Sequence, residues 1–232
     1  MLKTEVLTDY PPEEGHYLRG NDFSPVAVAV ILIYDYDKIP KEIEQLVRVG
    51  VESGAALSGT IQTENIGIEK MVCNVIGNPN IRYLVVTGPE SPGHSTGEAI
   101  TAMVRNGIDG RKRIIGSGSP TPYLFNLPLE YIERFRKQIK EVVNLLNRGT
   151  PDLVRNAVWS CYQENPTQFE DYTLYDIGAY PEDPISGKLT WRVANPVAEP
   201  KDDEERRQQE ALLEKMAMIK RKMDEKKRSP LK

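Results

Sequence analysis

Two hydrophobic periods take turns along this chain. After an extended, Pro- and Gly-bearing arm with a short strand at His16 to Arg19, Val26 to Tyr34 is almost wholly apolar and rich in Val and Ile. That is the pattern of a strand covered on both faces. Pro40 then opens a segment with Ile43, Leu46 and Val47 at helical spacing, and proline suits a first helical turn. Ala55 to Gly59 reads as a second buried strand. Thr63 is placed to cap an amphipathic helix carrying Ile68, Met71, Val72, Val75 and Ile76, with Gly77 or Asn78 as its stop.

A third strand, Tyr83 to Thr87, precedes a tight turn and a helix from Ser95 to Arg105 that ends at Asn106-Gly107. Arg113 to Gly116 is predicted as a short strand. Pro128 to Leu146 is predicted as the longest helix, with Phe135, Ile139, Val142 and Leu145 inside. A satellite helix, Asp152 to Tyr162, and a charged helix from Asp202 to Lys227 with a narrow apolar stripe follow. Strand-helix alternation of this kind predicts a Rossmann-like, mostly parallel α/β sheet flanked by helices, with a C-terminal helical extension. The expected organisation is an N-terminal arm at 1–22, an α/β domain at 23–148, a helical and irregular extension at 149–200 and a charged helix at 201–232.

Composition narrows the function classes. A formal net charge of −4 lacks the basic face expected of a nucleic-acid binder. No apolar run reaches the length of a membrane span, and the N-terminus lacks the layout of a secretory signal. Cys73 and Cys161 stand far apart, which indicates neither a disulfide framework nor a cysteine zinc site. A cytoplasmic protein is expected.

The turn after the third strand, Gly88-Pro89-Glu90-Ser91-Pro92-Gly93-His94-Ser95, carries one of the two histidines at the place where open α/β sheets bind ligands. It nearly matches the phosphate loop GxxxxGK[ST], with His94 in the lysine's place. Two prolines without N–H groups and the negative Glu90 argue against a cradle for phosphate. His94-Ser95-Thr96-Gly97 also reproduces half of the corrinoid motif DxHxxG, with Pro92 where the aspartate belongs.

The wider pattern supplies more. Ser24-Pro25-Val26-Ala27, Thr63-Glu64-Asn65-Ile66-Gly67-Ile68-Glu69-Lys70, Asn78-Pro79-Asn80-Ile81-Arg82, Gly93-His94-Ser95-Thr96-Gly97, Asn106-Gly107-Ile108-Asp109, Ile114-Ile115-Gly116, Pro122-Tyr123 and Glu133-Arg134-Phe135 occur in this order. In them the chain resembles the family of the corrinoid-carrying A subunit of tetrahydromethanopterin S-methyltransferase. The resemblance implies a corrinoid cofactor (cobalamin or another cobamide) whose cobalt cycles between cobalt(I) and methyl-cobalt(III), with His94 as lower axial metal ligand. By the same resemblance Thr63, Glu64, Asn65, Gly67, Gly88, Glu90, Gly93, Ser95, Thr96, Gly97, Gly116 and Pro122 belong to the cofactor cleft. It implies as partner a tetrahydropterin-dependent methyltransferase subunit. The C-terminal helix is expected to meet that partner or a second copy of the chain. The chain departs from the family at Glu98, at Pro89 and in lacking a C-terminal membrane helix. The competing readings are a nucleotide-binding protein that uses the degenerate Gly88–Ser95 loop and a cofactor-free interaction module.

Overall fold

A computed structural model describes residues 3–35, 38–185 and 187–189, together with Glu204 and Arg207. The chain divides into two compact units, Met1–Arg192 and Val193–Lys232. The charged helix expected between Asp202 and Lys227 lies outside the described residues apart from those two positions.

The first unit is built on a five-stranded sheet in the order β1-β3-β2-β4-β5. β2 (Val26–Ile31), β3 (Leu57–Ile61), β4 (Tyr83–Gly88) and β5 (Glu141–Leu146) run parallel, and β1 (Tyr17–Arg19) pairs antiparallel with β3 at one edge. Every residue of β2 and β4 is buried, as the apolar run of β2 and the Tyr83–Val86 run of β4 lead one to expect. Alternate residues serve two cores. Ala27, Ala29, Leu84 and Val86 face one; Val28, Val30, Val85 and Val143 face the other. The first core is roofed by α2 (Ile66–Ile76) and α4 (Leu129–Gln138), with α3 (Thr96–Asn106) beside them. The second is roofed by α1 (Lys41–Glu52) and α5 (Pro151–Cys161), which pack on each other. A hairpin, β6 (Thr167–Phe169) with β7 (Tyr172–Leu174), follows.

Two expectations fail here. The helix predicted from Pro128 to Leu146 is two elements. α4 stops at Gln138, whose buried amide donates to the carbonyls of Val75, Asn78 and Ile81 at the end of α2. Ile139 is extended (φ −75°, ψ 116°), and Lys140 N–H donates to Arg82 O, which starts β5 beside β4. Val142 and Val143 then point into opposite cores, an arrangement a strand allows and a one-faced helix does not. The outer edge of β5 is covered in part by Tyr172, whose hydroxyl accepts the Asn144 N–H at 2.9 Å. The strand predicted at Arg113 to Gly116 joins no sheet; it makes only single bridges, Ile108 to Ile114 and Arg113 to Tyr123.

The order of the parallel strands reverses direction at β2 and β4: α1 leads outward to β3, and α2 crosses back to β4. Loops that follow the carboxyl ends of these strands therefore diverge and leave a crevice. Gln62 to Asn65 leaves β3 at that end, and Pro89 to Ser95 leaves β4.

Candidate functional site

The turn from Gly88 to Ser95 is held from within. Gly88 has φ +91°, and a Cβ there would stand 2.8 Å from Ile31 O, so the end of β4 can approach β2 this closely only as glycine. The Glu90 carboxylate bends forward over the start of α3 and accepts the N–H groups of Ser91, Gly97 and Glu98 at 2.8–3.0 Å. Ser91 Oγ accepts the Thr96 N–H. These bonds satisfy the open amides of the first helical turn, and the negative charge suits the helix N-terminus. Ser95, the residue at the cap position, contributes no side-chain bond; it sits in the left-handed region at φ 48°. Glu90 thus occupies the place where a phosphate would be cradled, which removes the physical basis of the phosphate-loop reading.

With Glu90 and Ser91 serving the helix, Gly93 (φ +84°) completes the turn and His94 projects from it, its side chain about half exposed. Behind the ring stands Glu64, fully buried, with Oε2 2.8 Å from His94 Nδ1. Its other oxygen, Oε1, accepts the Thr121 hydroxyl at 2.7 Å and the Thr121 N–H at 3.2 Å. Burial pushes the Glu64 carboxyl up. The hydrogen bonds from Thr121, from its own backbone and from His94 outweigh burial and hold it below the ordinary glutamate value. An ionised carboxylate only accepts, so the ring proton is assigned to Nδ1, and Nε2 of the neutral imidazole keeps its lone pair. Among the described residues no hydrogen bond engages Nε2. This is the arrangement that fixes the tautomer and orientation of a metal-ligating histidine.

Three loops converge on this pair. Thr96 Oγ1 donates to Gln62 O and ties the start of α3 to the loop after β3. Asn65 caps α2 through Ile66 N–H, and Thr63, the expected cap, accepts the Gly67 N–H instead. The loop from Ser117 to Thr121 is pinned at three points: Ser117 on Glu98, Ser119 on Ser95 O and Thr121 on Glu64. Thr63, Glu64, Asn65, Gly67, Gly93, His94, Ser95, Thr96 and Gly97 are thus gathered at one end of the sheet. Pro122 is buried next to Thr121. Gly116 is not brought to the histidine; it stands against Asn106 at the far end of α3. Glu98, one turn after His94 and a possible partner by spacing, bonds Ser117 and Gly118. Thr121 lies in the loop from Gly116 to Pro122 that family resemblance and sheet logic place beside the cleft, but nothing in the sequence singles it out as the partner of Glu64.

The matching family model, MtrA, describes the A subunit of tetrahydromethanopterin S-methyltransferase and covers residues 3–178. The chain belongs to this family. The A 1 subunit of tetrahydromethanopterin S-methyltransferase from Methanothermobacter marburgensis is 44% identical over 173 residues, 74% of this chain and 68% of that protein. The A 1 subunit from Methanothermobacter thermautotrophicus is 42% identical over the same shares. The A 2 subunit from M. marburgensis is 39% identical over 184 residues, 79% of this chain and 87% of the relative. Among the described residues no helix is long and apolar enough to cross a membrane.

The lowered carboxyl has a consequence for stability. A glutamate whose native pKa lies below its unfolded value stabilises the fold fully above that unfolded value, about 4.3. The contribution is lost as pH falls through the native value. Glu64→Gln is therefore expected to lower the urea midpoint at pH 7, and the gap to wild type should be narrower at about pH 3 than at pH 7. A gap of equal size at both pH values would show that the ionised carboxylate adds nothing.

Proposed function

We propose that the chain is a cytoplasmic corrinoid-binding methyl carrier in tetrahydropterin-linked methyl transfer, with His94 as the axial ligand to cobalt. The observation that carries this reading is the buried Glu64 carboxylate on His94 Nδ1, which leaves Nε2 directed away from its protein partner. The donor set fits such a group. Among the described residues no three His, Cys, Asp or Glu side chains converge to hold a bare metal ion. A single imidazole suffices for a metal already held by its own macrocycle. When bound, the corrinoid would supply a nucleophilic cobalt able to take up and hand on a methyl group.

The residues of this chain do the rest. Glu64 holds the His94 proton on Nδ1 and orients the ring, and Thr121 holds Glu64. Glu90 and Ser91 keep the turn on the helix start, so the ring is presented on a rigid support. The expected partner is a tetrahydropterin-dependent methyltransferase subunit that supplies or removes the methyl group.

The test is reconstitution. The purified chain, mixed with hydroxocobalamin and passed through gel filtration, is expected to elute with stoichiometric cobalt. A chain that leaves the column free of corrinoid overturns the reading.

A further inference from the structure

Glu98 is half-buried in the first turn of α3, one turn after His94. A glutamate at this place commonly reaches back to the amide of the cap residue. Here that amide, Ser95 N–H, is already accepted by Ser91 O. The Glu98 carboxylate instead serves another element. Its Oε2 accepts the Ser117 hydroxyl at 2.9 Å and the Gly118 N–H at 3.3 Å, which pins the loop from Ser117 to Thr121 onto the helix.

That loop bears on His94 by two routes. Thr121 gives its hydroxyl and its N–H to Glu64 Oε1, and Glu64 Oε2 stands on His94 Nδ1. Ser119 donates its hydroxyl at 3.2 Å to the carbonyl of Ser95, the residue after the histidine. Ser95 lies in the left-handed region, which a serine keeps only when its surroundings hold it there. Glu98 also sets the order of protons in the loop. A carboxylate only accepts, so the Ser117 hydroxyl proton is committed to Oε2. Ser117 Oγ then accepts the Ser119 N–H at 3.1 Å, and the Ser119 proton remains for Ser95 O. Ser117 and Ser119 are both buried, so water does not stand in for these bonds at no cost.

We propose that Glu98 is a positioning residue for His94. By pinning the loop from Ser117 to Thr121 it fixes Glu64 behind the ring and the peptide after it, and so keeps the imidazole in its Nδ1–H tautomer with Nε2 presented. The use of that nitrogen as a metal ligand rests on the reading above. The positioning itself is readable in the chain without corrinoid.

The full chain, labelled with nitrogen-15 histidine and free of corrinoid, reports the tautomer through its ring nitrogens at about pH 8.5, where an ordinary imidazole is neutral. His94→Ala assigns the His94 signals by their loss. Wild type is expected in the Nδ1–H form. Glu98→Ala is expected to cut the ratio of Nδ1–H to Nε2–H by about three- to tenfold, the scale of a weakened charge-assisted bond. It is also expected to speed amide exchange at Thr121 about tenfold or more. Glu98→Gln keeps an oxygen for Ser117 and is expected to restore both readouts toward wild type. Ser117→Ala removes the donor and leaves the glutamate; it is expected to act as Glu98→Ala does, and it serves where that variant does not fold. A glutamate that merely complements the helix start would lower the urea midpoint of both Glu98 variants alike and leave the ring unchanged. A wild-type tautomer ratio in folded Glu98→Ala or Ser117→Ala overturns the proposal. Cobalt retention by the wild-type chain is a separate measurement, so failure here is distinguishable from failure of the carrier reading.

Discussion

His94→Ala is expected to lower corrinoid affinity by about a hundredfold or more, and to leave any bound corrinoid with the visible spectrum of cobalt lacking a protein nitrogen. The magnitude follows from its support. Removing the outer partner of a ligating histidine costs about 10–100-fold in metal affinity, and removing the ligand itself costs at least as much. The two variants of Glu64 separate charge from geometry. Glu64→Ala deletes both the acceptor of the Nδ1 proton and the acceptor of Thr121, and should fall about 10–100-fold. Glu64→Gln keeps one carbonyl oxygen for Nδ1–H but gives up the charge, and should fall between Glu64→Ala and wild type. Thr121→Val leaves the backbone N–H bond in place and removes only the shorter hydroxyl bond, so its effect should be the smallest of the series. Equilibrium titration with hydroxocobalamin, read in the visible, ranks all four. If His94→Ala shows the wild-type spectrum, axial ligation is wrong even where the corrinoid is retained. If Glu64→Ala binds as wild type does, the carboxylate does not prepare the ring.

The histidine was legible in the sequence and the resemblance put Glu64 in the cleft, but the pairing of the two was not legible, for a physical reason. A strand followed by a glycine-rich turn and a helix start marks His94 by local spacing alone. Glu64 lies 30 residues away in the loop after β3, and its role depends on β3 and β4 ending side by side across β2. In the motif DxHxxG the carboxylate is local; here Pro92 stands in that place and the carboxylate arrives through the sheet. Thr121 lies 57 residues from the Glu64 it bonds, brought in by a loop stapled to the start of α3 through Ser117 and Ser119. Glu90 shows the reverse case. The resemblance assigns it to the cleft, and its carboxylate accepts the N–H groups of the first turn of α3, a bond pattern that nothing local in the sequence marks. The two-faced strands β2 and β4 were plain because their apolar runs are short, rich in Val and bounded by Gly and Pro. The boundary between α4 and β5 was hidden because Ile139, Val142 and Leu145 continue the spacing of Ile132 and Phe135. Nothing local signals that the Gln138 amide is needed at the carbonyls ending α2.

Phe135 is fully buried on α4 in the core beneath α2, with Leu124 and Leu127 in the same cluster. Phe135→Ala is expected to cost about 3–5 kcal/mol of unfolding free energy by urea titration, a large part of the about 5–15 kcal/mol that holds a typical domain. Lys137→Ala, exposed on the same helix, should stay within about 0.5 kcal/mol of wild type. Leu145 is equally buried, but it enters the opposite core with Val154 and Val158 of α5, and Leu145→Ala is expected to cost about 2–5 kcal/mol. The double variant tests whether the two side chains are independent. On opposite faces of the sheet they share no cluster, so the two losses should add to within about 0.5 kcal/mol.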